Sequence, residues 1–126
     1  MPCHVSKAEF EDLVEQSLEG VPEPFAKVLE EVPVEIRPRS GPKQRKKMGL
    51  KENELLLGLY HGRPRTERSV LDSAHMPDVI FIFQEDIELA CNSRDELVEQ
   101  VRKTVLHEIG HHFGMTENDL DELGYG

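Results

Sequence analysis

A chain of 126 residues with a formal net charge of -10 is expected to form one domain over residues 1–126, with a single modest core and no room for a separate substrate domain. It contains no apolar run of about eighteen residues and no basic-then-apolar leader, which argues against a membrane span and classical secretion and points to the cytoplasm. The acidic balance argues against nucleic acid as the main partner, and Cys3 and Cys91, distant in sequence and without metal spacing, read as reduced thiols.

In chain order, Ser6 and Glu9 form a capping box ahead of Phe10, Leu13, Val14 and Leu18, whose spacing buries one helical face before Gly20 ends the helix. Pro22 and Pro24 open a second helix with Phe25, Val28, Leu29 and Val32 on one side. Val34 to Arg37 reads as a short strand. Residues 38–49 then cluster Pro, Gly and charge and read as a mobile loop, whose basic run of Lys43, Arg45, Lys46 and Lys47 is a solvated surface or a contact for an acidic partner. Leu55 to Tyr60 is a second strand. Val79 to Phe83, without a polar interruption, is a third, expected in the middle of the sheet and buried on both faces. Helices followed by strands and a final long helix indicate an α+β fold: a small mixed sheet packed with about three helices plus a short carboxy-terminal helix.

That long helix carries the chemistry. Leu97, Val101, Val105, Ile109 and Phe113 recur at i, i+4 and predict one buried stripe, with Arg94-Asp-Glu placing acidic residues at its positive end. Residues 107–111 read His-Glu-Ile-Gly-His. One turn separates His107 from His111, so both imidazoles leave the same face, off the stripe and in the sector of Gln100 and Thr104. Two such imidazoles suit adjacent positions on a tetrahedral zinc, and Glu108, about 100° round the wheel, suits a general base that meets water and not the metal. His112 points towards the stripe and reads as a packed histidine with a hydrogen-bond partner. Gly110, costly inside a helix, implies close approach by another backbone.

A third ligand should follow the helix. Gly114 supplies a left-handed turn that swings the chain back past the metal, and in the metzincin pattern His-Glu-x-x-His-x-x-Gly-x-x-His the last position falls on Glu117. A carboxylate there remains an acceptable zinc ligand. Asp119 and Asp121 are the rivals, although Thr116 and Asp119 also look like a capping box opening a short helix through Leu123. Eleven residues follow Met115 and none is Met, so the metzincin methionine turn is unmatched. For the oxyanion, Tyr60, His61, Arg63, Arg65 and Tyr125 are the candidate donors.

Beyond the motif, Leu59-Tyr-His-Gly-Arg-Pro64 with Thr66-Glu-Arg-Ser69, then Pro77 to Phe83, then Val101 to Met115 resemble the minimal zincin-like metallopeptidases, covering most of residues 54–126. The resemblance implies a compact zincin-like fold, Zn2+ at His107 and His111, Glu117 as an acidic third ligand, and Glu108 as catalytic base acting on a peptide or protein substrate. In zincins an edge strand commonly forms a wall beside the metal, and the segment from Leu55 to Tyr60 is the candidate here. The competing readings are a structural zinc site without catalysis and an adaptor that uses the basic run. Oligomeric state is not readable from the sequence.

Overall fold

The structure, a computed structural model, describes residues 3–47, 49–51, 54–62 and 78–123. Among them are six helices and three strands in the order α1 (Lys7–Ser17), α2 (Phe25–Glu31), β1 (Val34–Arg37), α3 (Pro42–Lys47), β2 (Gly58–His61), β3 (Val79–Phe83), α4 (Gln84–Ala90), α5 (Arg94–His112) and α6 (Glu117–Glu122). No helix among the described residues is long and apolar enough to cross a membrane.

The sheet has the order β1-β3-β2, with β3 in the centre as its uninterrupted apolar composition requires. β1 runs parallel to β3, matching Val34 to Ile80, and β2 runs antiparallel, matching Tyr60 to Ile80. One face of β3, Ile80 and Ile82, is fully buried under the helices. The expectation of burial on both sides holds at one end of the strand alone, because on the other face Phe83 is fully buried but Val79 and Phe81 are only half-buried. There Phe81 is screened by the Arg37 guanidinium, 4.9 Å from its ring centre, and flanked by His61. Among the described residues, these two polar side chains, each with an apolar or aromatic body, lie over this face.

Ser6 Oγ accepts the Glu9 N–H and opens α1, while the Glu9 carboxylate pairs across to Arg94 at the start of α5. Phe10 and Val14 of α1, Phe25 and Val28 of α2 and Leu97, Val101 and Val105 of α5 converge on Ile80 and Ile82. Each fully buried large side chain contributes about 1.5–3 kcal/mol, so this cluster is what holds α5 against the sheet. Phe113 departs from the predicted stripe. The helix stops at His112, Phe113 becomes the C-cap and stays 44% exposed, and Leu106 is buried in addition to the expected set.

Two other segments differ from the sequence reading. Residues 38–49 contain α3, because Pro42 pre-forms a first turn and Arg45 of that helix is tied to Ser40 Oγ, to the Lys51 and Glu54 carbonyls and to Asp86. α4 was unforeseen. Its buried side is largely polar, comprising Gln84, Asp86 and Glu88 beside Ile87, and a search for apolar periodicity passes over such a face. Asp86 Oδ2 accepts the Leu56 N–H at 2.9 Å, which helps explain why β2 begins at Gly58 and not at Leu55. Glu88 Oε2 accepts the Val5 N–H at 2.8 Å and anchors the amino-terminal segment. The same segment brings Cys3 to Cys91, whose carbonyl accepts the Cys3 N–H at 2.9 Å although the two are 88 positions apart.

Candidate metal centre

The centre is built from the last two turns of α5, the turn after it and the first residue of α6. His107 and His111 stand one turn apart, as a 3.6-residue period demands, with ring centres 4.4 Å apart. α5 then ends at Phe113, Gly114 takes φ 82°, and the Met115 N–H closes on the Gly110 carbonyl at 2.8 Å. This left-handed C-terminus reverses the chain. Thr116 and Asp119 satisfy each other's backbone N–H in a reciprocal capping box that starts α6, and Glu117 is its first residue.

The reversal puts Glu117 Oε1 2.9 Å from His111 Nε2 and 3.4 Å from His107 Nε2, with the two Nε2 atoms 2.8 Å apart. Ligand atoms about 2.1 Å from one tetrahedral ion lie roughly 3.4 Å from each other, so this triangle has the size of one face of a zinc site. Two neutral imidazoles and a carboxylate also match zinc's preference for mixed nitrogen and oxygen donors, and the residues fit the ion. No fourth His, Cys, Asp or Glu joins the group among the described residues. Of the rivals, Asp119 spends its carboxylate on the Thr116 N–H, which also holds its pKa low, and neither it nor Asp121 joins the group.

Gly110 explains how α6 gets so close. A Cβ there would stand 2.5 Å from Leu120 Cδ2 and 3.3 Å from Met115 Sδ. The close approach is thus made by side chains of the returning segment and not by a backbone, and Leu120, fully buried, fastens α6 onto α5.

Glu108 faces β2. Tyr60 donates its backbone N–H to Glu108 Oε1 at 3.1 Å, and Oε2 accepts no hydrogen bond from a described residue. Burial pushes the Glu108 carboxyl above its usual range, while the Tyr60 N–H and the nearby imidazoles pull it down. β2 comes this near because Gly58 has no side chain: a Cβ would lie 2.5 Å from Thr104 Cγ2 and 3.7 Å from Glu108 Cγ. Sequence reasoning missed both the Tyr60 clamp and Gly58. A glycine inside a strand pattern marks a close approach, and that signal was present.

His112 is half-buried and stacks on the Tyr60 ring, centres 3.8 Å apart and planes 11° from parallel, so it packs and does not join the donor triangle. The Tyr60 hydroxyl is committed to Asp78 Oδ2 at 2.9 Å, which removes it as a free oxyanion donor. His61 is exposed on the strand beside Phe81, and Arg63, Arg65 and Tyr125 lie outside the described residues. Between Leu56–Gly58 and the α5 residues Gln100 to Glu108 runs an open groove of about 350 Å3 that ends at His107.

The fold is similar to that of a solved structure. A conserved hypothetical protein from T. thermophilus is 23% identical and superimposes with a TM-score of 0.56 over 94% of this chain and 97% of that one, a likeness of fold. Among curated proteins none matches the sequence. The family model for zincin-like metallopeptidases matches residues 29–126, a span that runs from α2 through the whole donor triangle, and the chain therefore belongs to the zincin-like metallopeptidase family.

Proposed function

We propose that the protein is a zinc-dependent peptidase in which His107, His111 and Glu117 hold the ion and Glu108 is the general base. The observation that carries this reading is the pairing of a three-donor triangle, without a fourth donor among the described residues, with a carboxylate held by one oxygen only. A structural zinc site is normally closed by four protein ligands, whereas three leave a position for water and substrate.

Zinc bound at the triangle supplies Lewis-acid polarisation of water and of a substrate carbonyl. The chain's own residues do the rest. Tyr60 N–H fixes one Glu108 oxygen, and the second takes the proton of the attacking water and later delivers it to the departing amine nitrogen. Burial favours a carboxyl that can hold that proton between the two steps. Among the described residues β2 is an edge strand, and the alternation of an antiparallel ladder places the Gly58 backbone on the same outward side as the Tyr60 N–H, so an extended peptide can pair beside the groove.

The test is metal content together with cleavage of a peptide library by the parent and by Glu108→Gln. The expected result is one zinc per chain in both proteins, with turnover lower by about 10²–10⁴ in the variant. Equal turnover in the two proteins, or no hydrolysis by a zinc-loaded parent, would overturn the assignment.

A further inference from the structure

The groove has a direction and a charge. Its helical wall runs from Gln100 to His107, seven residues or about 10 Å along the axis, which is the length of roughly three extended peptide residues. Leu56 and Leu57 make the opposite wall, so the strand side is apolar and the helix side polar. Among the described residues lining it, Lys103 is the one lysine or arginine. It is exposed and makes no ion pair with a described residue, Glu99 one turn earlier included. Lys103 lies one turn, about 6 Å, from His107, and that is the reach of one to two extended residues from a bond cleaved at the triangle. A chain with a net charge of -10 repels acidic peptides at long range, so Lys103 beside the triangle is a local attraction set against a repelling field.

We propose that Lys103 determines specificity, by binding a carboxylate one or two residues from the scissile bond in a short apolar-and-acidic peptide. The carboxylate is either an Asp or Glu side chain or the free carboxy terminus. This rests on the peptidase reading above.

The experiment uses the zinc-loaded full chain and matched sets of N-acetylated hexapeptides. In one set a single Asp, against Asn, is walked through the positions flanking the cleaved bond; in the other a free terminal carboxylate is compared with its amide. The expected result is an advantage of about tenfold in kcat/KM for the carboxylate at one register of one set, which identifies its source. That ratio should fall to about one in Lys103→Met and should turn into a preference for Lys over Asn in Lys103→Glu. An advantage that survives Lys103→Met, or none in either set, overturns the proposal. The same peptides, fluorescently labelled, are titrated against Glu108→Gln protein by anisotropy. If the parent cleaves nothing, the peptidase reading fails, and the anisotropy ratio between carboxylate and neutral peptides still decides for or against Lys103.

Discussion

Two pairs of carboxylates in this molecule have been given opposite treatment. Asp86 and Glu88, on α4, are buried and surrounded by donors: Leu56 N–H, Ser40 Oγ and Arg45 around the first, Val5 N–H, Gln84 Nε2 and His4 around the second. Glu108 and Glu117, on α5 and α6, keep capacity open. One is held by a single N–H, and the other faces only imidazole nitrogens among the described residues. A carboxylate with its oxygens satisfied locks chain segments together; one with an open oxygen is available to an ion or a proton.

The sharpest way to break this contrast is to exchange the consequences. Glu117→Ala should weaken zinc binding by more than about 100-fold, since even residues that only orient a ligand are worth about 10–100-fold. Its side chain is 65% exposed, so the metal-free protein should lose no more than about 0.5 kcal/mol in urea unfolding. Competition against a chelator reads the first quantity. Unchanged affinity would remove Glu117 from the site.

Asp86→Ala should do the reverse. It strands the buried Leu56 N–H and leaves Arg45 without its carboxylate, at a cost of about 1–3 kcal/mol, with zinc affinity per folded molecule little altered. If zinc affinity fell and stability held, α4 would be part of the centre and not its support.

Gly110→Ala connects the two regimes. The added methyl meets Leu120 and Met115, side chains that seat the returning segment, so α6 is expected to shift and stability to drop by about 1–3 kcal/mol. Glu117 moves with α6, so a smaller loss of zinc affinity, about tenfold, should accompany it. A stable variant with parent affinity would show that Leu120 has room to turn aside.

The smallest expected effect is at Cys91, the C-cap of α4. Burial pushes its thiol from the ordinary 9.0 to about 11, so at pH 8 iodoacetamide should modify the half-buried Cys3 well before Cys91. Because the folded state holds this proton more tightly, its contribution to stability is complete below pH 9.0 and is lost as the pH rises towards about 11. Equal alkylation of the two thiols at pH 8 would mean that the amino-terminal segment does not cover Cys91.

Much of this was readable locally. Ser6 at the start of α1, β3 at the centre of the sheet, the left-handed Gly114 and the Thr116–Asp119 box all depend on residues within a few positions of one another or on an apolar run that admits one location. α4 and α3 escaped because they are stabilised by distant partners. Asp86 needs Leu56 and Ser40, and Arg45 needs Asp86, and no periodic pattern reports such pairings. The cysteines show the same thing: spacing separates Cys3 from Cys91, and the fold places them side by side.

By itself the sequence determined that two imidazoles and a carboxylate leave α5 in fixed angular relation, because a helix has one period and no freedom to rearrange His107, Glu108 and His111. Which acid completes the triangle was open between Glu117, Asp119 and Asp121, and only the tertiary structure decided it. Leu120 seated on Gly110 sets the angle at which α6 returns, and that angle points Glu117 at the histidines while the cap consumes Asp119. The groove likewise exists only because Gly58 lets β2 approach α5, a contact between residues 46 positions apart, Gly58 and Thr104, that short-range rules do not report.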